Sequence, residues 1–178
     1  MASRSEAALL AATKEIISTQ GIKNLAMIDI ADLSQVSRAT LYNHFRDKDA
    51  VLYSLLSREI IHLFESAPKN PDELLEYFSL AISADSALAG MRMHDPAILA
   101  MMLMRNEDKI WHAIDAFFLS ALGTEVKAGI AISWLLAQAL QPLTPEQSRA
   151  QSSQLLHANL GSSRAHPLKF RPAMGSII

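Results

Sequence analysis

The sequence predicts an all-α protein, with a small N-terminal three-helix domain and a larger helical C-terminal domain. Apolar residues recur at the spacing of one helix face along the chain, and no alternating apolar and polar run indicates a strand. Ser, Thr, Asn or Asp precedes most of these runs, as is typical of helix N-caps. The clearest interruption is the proline-containing segment 67–71.

The first helix is expected to begin after Ser3 and to end near Gly21. Ser3 and Glu6 have the spacing of a capping box, and glycine suits the residue after a helix because it adopts positive φ without strain. This helix would brace the two that follow it.

Residues 28–48 predict two short helices joined by a tight turn. The first would cover residues 28–33, and the second would open at Ser37, whose hydroxyl can accept a free N–H of the first turn. The apolar residues are spaced to form one core shared by the crossed helices: Ile30, Ala31, Val36, Leu41 and Phe45. Five other side chains of the second helix can form hydrogen bonds and are not needed for this core, which is the arrangement of a helix-turn-helix that enters a DNA major groove.

The segment VSRATLYNHFRDKDAVL resembles the recognition segment of the TetR family of bacterial transcriptional regulators. The family pattern runs Ile-Ala, a turn, Val-Ser and then Thr-Leu-Tyr-x-His-Phe-x-x-Lys-x-x-Leu, and this chain matches it from Ile30 to Leu52. The resemblance covers about the first third of the chain. The chain departs from the pattern at Gln35, where the family usually has glycine, and at Ala26 and Met27, where it usually has Ser or Thr.

This resemblance implies two kinds of DNA contact. Arg38, Thr40 and Asn43 are placed to contact base edges, since Arg suits guanine and Asn suits adenine. Contacts to phosphates are implied for Tyr42, His44 and Lys48. A solvated polar face is the alternative interpretation. Gln35 would have to adopt positive φ in the turn.

Composition excludes several classes of protein. The net charge of −2 argues against a protein that coats polyanions without specificity. Without cysteine there is no disulfide or thiolate chemistry, and no phosphate loop or nucleophile elbow indicates an enzyme or a cofactor site. No run is long enough to span a membrane, so a cytoplasmic protein is expected.

His94, Asp95 and His112 lack the spacing of a metal site. Asp95, which precedes Pro96, is expected to act instead as a helix N-cap.

The predicted domains share a long helix. Asp47 is expected to cap a helix that runs from Lys48 to about Glu65, and a short or irregular helix is expected near 85–93. We assign residues 1–47 to a helix-turn-helix DNA-binding domain, 48–160 to a ligand-binding and dimerisation domain, and 161–178 to an irregular tail.

The C-terminal domain is rich in methionine and aromatic residues. The resemblance implies an inducer pocket there, and methionine can repack around varied apolar ligands. Ordinary core packing is the alternative for each of these side chains. The candidate ligand-binding residues are Phe78, Met91, Met101, Met104, Arg105, Trp111, His112 and Phe117.

The strongly apolar helix expected after Thr124 requires cover on more than one side. It would form an αα-hairpin with the helix that follows Thr144, and two hairpins could pair about a twofold axis into a four-helix bundle. The resemblance implies dimerisation of this kind. The candidate interface residues are Ile132, Leu136, Leu140, Leu155 and Leu156.

The sequence thus favours a TetR-type DNA-binding regulator, acting as a repressor that releases a palindromic operator when a small, largely apolar effector binds. Its partners would be double-stranded DNA, a second copy of the chain and the effector. One alternative is a ligand-binding or protein-interaction helical protein with a non-functional helix-turn-helix. Another is an activator, because repressors and activators differ in where they bind a promoter.

Overall fold

The computed structural model describes residues 3–157, with all side chains in that range except those of Asp72, Leu156 and His157. The predicted tail at 161–178 and the end of the last predicted helix lie outside the described residues. Within the described part, ten α-helices follow one another and no strand occurs, so the all-α prediction is confirmed.

Brief turns separate the helices, none of which is long and apolar enough to cross a membrane. In chain order they are α1 (Arg4–Gln20), α2 (Met27–Ser34), α3 (Arg38–His44), α4 (Lys48–Glu65), α5 (Pro71–Ala84), α6 (Ser86–His94), α7 (Pro96–Met102), α8 (Lys109–Leu122), α9 (Glu125–Leu140) and α10 (Pro145–His157).

Residues at the helix ends act as the sequence predicts. Ser3 Oγ accepts the N–H of Glu6 at 3.1 Å, and Asp47 Oδ1 accepts the N–H of Ala50 at 2.9 Å. The bond from Ala50 favours the charged carboxylate, so the pKa of Asp47 lies below its ordinary value. Gly21 ends α1 with a φ of 80°, in the region that favours glycine.

Residues 85–96 differ from the prediction at one position. α6 is a short, regular helix, and its N-cap Asp85 accepts the N–H of Leu88 at 2.9 Å. Asp95 occupies the predicted N-cap position of α7, but its side chain forms no capping hydrogen bond. Its buried carboxylate accepts the N–H of Lys23 at 3.2 Å, because the turn before α7 packs against the turn after α1.

Two hydrophobic clusters make up the core. The first is built from α1 to α4 and also includes Met91 of α6 and Leu99 of α7. The second is built mainly from α5, α8 and α9. The packing therefore crosses the domain boundary predicted at residues 47 and 48, and the division of the chain into domains stays a prediction.

A buried polar network joins α5, α9 and α10. Ser79 Oγ lies 2.5 Å from Gln138 Oε1 and 2.8 Å from Ser148 Oγ, and all three residues are buried. α5 packs against both α9 and α10. The sequence predicts that α9 and α10 pack directly on each other as an αα-hairpin, but each packs mainly on α5 instead. Trp134 Nε1 donates to Gln151 Oε1 at 2.7 Å and links α9 to α10 directly.

The crossing of α1 and α6 is the most extensive helix contact in the described residues. At this crossing α6 contains Gly90. A Cβ at residue 90 would lie 2.6 Å from Cα of Ser18 and would overlap the carbonyl oxygen of Ile17. Because both are backbone atoms of α1, the two helices touch without an intervening side chain, and only glycine permits this approach.

This contact predicts opposite effects for two glycine-to-alanine substitutions. Gly90→Ala is expected to lower the free energy of unfolding by about 1–3 kcal/mol, since the added methyl group cannot be accommodated without moving a helix. In α9, Gly129 has nothing within 4 Å of an added Cβ, so Gly129→Ala is expected to raise stability by about 0.5–1 kcal/mol. Urea unfolding measures the stability of both variants. An equal gain in the free energy of unfolding would show that α1 and α6 are not in close contact.

Candidate nucleic-acid interface and effector cavity

The helix-turn-helix core forms from the residues that the sequence places there. Ile30, Ala31, Leu41 and Phe45 are each at most 4% exposed, and Val36 is half-buried against them. α3 is therefore fixed along one face, and its opposite face is presented to solvent.

The turn before α3 contains the predicted positive φ. Gln35 has a φ of 56° and is the one non-glycine residue with positive φ in the described part of the chain. Its N–H donates to the carbonyl oxygens of Ala31 and Asp32. At the other end of α2, the N-cap Ala26 forms no side-chain bond, as expected from the missing Ser or Thr.

The outer face of α3 contains three freely exposed candidates for DNA contact. Arg38, Tyr42 and Asn43 all project into solvent, with the Tyr42 side chain 56% exposed. The Arg38 guanidinium and the Asn43 amide both offer paired hydrogen-bonding groups, which is the chemistry that reads a base edge in the major groove.

Thr40 and His44 are held by hydroxyl groups. Thr40 Oγ1 lies 2.8 Å from Ser37 Oγ, which also accepts the N–H of Thr40 at 3.1 Å. His44 Nε2 lies 3.3 Å from Oγ of Ser3, the N-cap of α1. These contacts orient both side chains before any DNA is bound.

Lys48 is engaged within the protein. Its Nζ donates to the carbonyl oxygen of Ile22 at 2.6 Å and lies 3.4 Å from that of Lys23. The bond ties the start of α4 to the turn after α1. In this arrangement the ammonium group stabilises the domain, and its contact with a phosphate stays a prediction.

A cavity of about 320 Å³ lies between α1 and the helices from α4 to α9, and its lining is almost wholly apolar. Three of the predicted ligand-binding residues line it, namely Phe78, Met91 and Trp111. The other predicted residues lie outside the lining: Met101, Met104, Arg105, His112 and Phe117.

Solvent exposure explains why the two methionines lie outside. The side chains of Met101 and Met104 are each 69% exposed, at the end of α7 and in the turn after it. Phe117 stacks on Phe64 with 4.1 Å between the ring centroids, and Phe64 rather than Phe117 lines the cavity.

Arg105 and His112 pair with acids at the surface. Arg105 forms an ion pair with Asp115, and its guanidinium carbon lies 5.8 Å from the centroid of the Trp111 ring. His112 Nε2 lies 3.6 Å from a carboxylate oxygen of Glu107, and both side chains are exposed. Within the described residues, no three His, Asp or Glu side chains are grouped to hold a metal.

α4 supplies more of the wall missed by the prediction than any other helix does. The apolar lining residues of α1, of the turn after it and of α4 are Ile17, Ile22, Leu52, Leu55, Leu56, Ile60, Leu63 and Phe64. The signal in the sequence was the excess of apolar residues in α4, which are too many for one narrow stripe.

One end of the cavity is charged. Lys14 Nζ on α1 lies 2.6 Å from Glu59 Oε2 on α4 and 2.8 Å from Oδ2 of Asp85, the N-cap of α6. Burial alone would lower the pKa of Lys14, but the hydrogen bonds to Asp85 and Glu59 together outweigh it and raise the pKa above its ordinary value. We call these three residues the Lys14 cluster; it joins three helices through one charged ammonium.

The predicted interface residues divide between core and surface. Ile132 is 3% exposed within the second hydrophobic cluster, and Leu136 is half-buried and lines the cavity. Leu155 is half-buried against the same cluster, whereas Leu140 is 48% exposed. The side chain of Leu156 lies outside the described residues.

A different stripe of α9 faces solvent. Its members are spaced by four and three residues in turn, so that they lie along one helix face: Val126, Ile130, Ser133, Ala137 and Leu140. Val126 is 64% exposed and Ile130 37%. This apolar and small-residue stripe has no cover within the described part of the protomer.

Residues 9–55 match the family model described as bacterial regulatory proteins, tetR family. The matched segment contains α2 and α3 with most of α1 and the first part of α4. Among curated proteins, none matches the chain.

Solved structures share the fold over most of the chain. The fatty acid degradation regulator FadR from Bacillus halodurans is 14% identical, with a TM-score of 0.61 over 88% of this chain and 97% of that one. A TetR transcriptional regulator from Rhodococcus sp. RHA1 is 14% identical, with a TM-score of 0.57 over 90% and 100%. A TetR-family transcriptional regulator from Haemophilus influenzae RD is 15% identical, with a TM-score of 0.53 over 85% and 95%. At these identities the likeness is one of fold.

The turn before α3 predicts a stabilising substitution. Gln35→Gly is expected to raise the free energy of unfolding by about 0.5–1 kcal/mol, since relief of left-handed backbone strain of roughly 1–2 kcal/mol exceeds the entropic cost of glycine. Gln154→Gly, on an exposed helical position of α10, is the matched control and is expected to lose about 1 kcal/mol. Thermal unfolding measures the stability of both variants. A lower stability of both would contradict backbone strain at Gln35.

Proposed function

We propose that this chain is a member of the TetR family of bacterial transcriptional regulators and acts as a repressor. It binds a palindromic operator as a homodimer and releases it when a largely apolar effector fills the cavity. TetR-family regulators are DNA-binding proteins without enzymatic activity. In this proposal residues 1–47 bind DNA, and residues 48–160 hold the effector and the dimer interface.

The observation that carries the DNA-binding role is the division of α3 into two faces. One face is buried through Leu41, while Arg38, Tyr42 and Asn43 remain exposed on the other. A dimer would place two such helices in successive major grooves, about 34 Å apart along the duplex. Hydroxyl contacts orient Thr40, which is proposed to contact a base edge, and His44, which is proposed to contact a phosphate.

Selection from a pool of random duplex DNA tests this role at physiological salt. An enriched palindrome supports the proposal and supplies the operator for later measurements. Lack of any enriched sequence, from protein shown to be folded and dimeric, would favour a chain whose helix-turn-helix no longer reads DNA.

Two substitutions on α3 test the assignment of base contacts. Arg38→Ala and Asn43→Ala are each expected to weaken operator binding by about 1–3 kcal/mol and to relax the preference at one operator position. Lys109→Ala, at an exposed position of α8, is the control and should leave the affinity unchanged. Fluorescence anisotropy on the operator and on single-position variants measures both effects. Equal weakening on every sequence would instead assign these residues to phosphate contacts.

The exposed stripe of α9 supports a dimer interface formed around this helix. Ser133 and Ala137 are small, which allows two helices to approach closely, and the apolar residues Ile130 and Leu140 lie on the same face. Of the interface residues predicted from the sequence, Leu140 fits this face. Ile132 does not fit it, because its side chain is buried in the protomer core.

A charge placed in this stripe is expected to break the dimer. Ala137→Glu would bury an unpaired carboxylate between two copies of α9. Burial of this charge destabilises the dimer far more than the loss of the Ala137 contact does. Leu119→Glu, on the exposed face of α8, is the matched control and should remain dimeric. Sedimentation equilibrium at micromolar protein concentration measures the state. If Leu119→Glu separates the protomers and Ala137→Glu does not, the interface lies on α8 instead.

The effector role rests on the cavity and its position. The wall is apolar and includes Phe78 and Trp111, while α1 and the turn after it supply Ile17 and Ile22. The similar regulator from Bacillus halodurans is described as a fatty acid degradation regulator, which is compatible with an effector that has an apolar chain. An effector releases DNA only if it binds the non-binding conformer more tightly, and DNA then weakens effector binding by the same factor.

A further inference from the structure

The Lys14 cluster is the polar end of an otherwise apolar cavity. Lys14, Glu59 and Asp85 all border the cavity, with side-chain exposures of 28%, 41% and 23%. The remaining lining contains one more titratable side chain, the exposed His62. Any effector that fills the cavity therefore has some part beside these three charges.

The charges of the cluster do not balance. One ammonium faces two carboxylates, which leaves a net charge of −1 that water reaches only in part beside apolar surface. A ligand with a cationic end would neutralise this excess. A ligand with an anionic end would add a third negative charge at the same point, although it could approach Lys14.

We propose that the effector is an amphipathic amine, with an apolar chain or ring system in the cavity and a protonated amino group that competes with Lys14 for the carboxylates of Glu59 and Asp85. This proposal rests on the regulatory function proposed above and specifies the chemistry of the same site.

In this proposal the ligand amine displaces the Lys14 ammonium, while the two carboxylates stay in place. Asp85 is held in place because its Oδ1 accepts the N–H of Leu88 at 2.9 Å, as the N-cap of α6. Glu59 lies within the long helix α4. Lys14 has a flexible side chain and is partly exposed, so its ammonium can turn to water when a ligand amine takes its place.

Displacement of Lys14 acts directly on the DNA-binding domain. Lys14 is part of α1, which braces α2 and α3, whereas Glu59 and Asp85 belong to α4 and α6. With its ion pairs broken, α1 loses one tie to the effector cavity. The amine therefore stabilises conformers in which α1 has moved, and these are the conformers that release the operator.

Three ten-carbon probes that differ only in the head group test the proposal. Decylamine, decanol and decanoate, each kept below its aggregation threshold at neutral pH, are titrated into the full-length protein in a calorimeter. Decylamine is expected to bind at least about tenfold more tightly than decanol, the factor that one charge-assisted hydrogen bond supplies. Decanoate is expected to bind more weakly than decanol.

Two substitutions should move the amine affinity in opposite directions. Glu59→Gln removes one carboxylate and is expected to lower the affinity for decylamine about tenfold. Lys14→Met removes the competing ammonium and is expected to raise it. Glu65→Gln, at an exposed position of α4 outside the cavity lining, is the matched control and should bind as the unmodified protein does. Thermal unfolding of each variant confirms that it is folded before titration. If Lys14→Met is not folded, the affinity of Glu59→Gln for decylamine tests the proposal by itself.

Two outcomes would overturn the proposal. The first is tightest binding of decanoate that is lost in Lys14→Met, because the head group would then bind Lys14 itself. The second is equal affinity for all three probes, which would mean that the cluster does not select the head group. Neither titration contains DNA. If the protein selects an operator but fails these tests, the proposed regulatory function still holds, and only the assignment of the effector as an amine is rejected.

Discussion

The backbone contact between α1 and α6 at Gly90 sets the distance between the helix-turn-helix and the cavity. No side chain separates the two helices there, so a conformer in which α1 has moved relative to α6 must repack this contact. The buried carboxylate of Asp95 strengthens the same contact by accepting the N–H of Lys23 in the turn after α1. Much of the remaining architecture depends on this fixed spacing.

α1 belongs to both halves of the molecule as a result. Leu9 and Ile16 are buried in the first hydrophobic cluster, and Ile17 both packs in that cluster and lines the cavity. Coupling between DNA and effector therefore requires no long chain of intermediate contacts. A displacement of α1 changes the support of α3 and the shape of the cavity at the same time.

Local signals in the sequence predicted the fold well because they depend on residues close together in the chain. Ser37 and Asp47 cap their helices, and Gln35 adopts positive φ, because each needs only the backbone within a few residues. The roles of Asp95 and Ile132 could not be predicted in this way. Each depends on a segment distant in the chain. The turn after α1 binds the Asp95 carboxylate, and the helices of the second hydrophobic cluster bury Ile132.

The sequence predicted a cavity among the helices of the C-terminal part, but five of the eight predicted lining residues lie outside it for the same reason. A methionine is compatible with a pocket lining, a core or a surface, and composition alone cannot distinguish these. Met91 is buried beside the cavity, while Met101 is exposed on a neighbouring helix. The more informative signal was the apolar excess of α4, since a helix with apolar residues on several faces must contact more than one partner.

Magnitudes limit how the cavity can control DNA binding. Partly exposed ion pairs such as those of Lys14 contribute about 0–1 kcal/mol each, whereas regulation by an effector usually requires a coupling of about 1–3 kcal/mol. Loss of these ion pairs in one protomer is therefore too weak by itself to release an operator. The apolar part of the effector must supply the rest by filling the cavity better when α1 has moved. The head group then determines which ligands are accepted, and the apolar body determines how strongly they act.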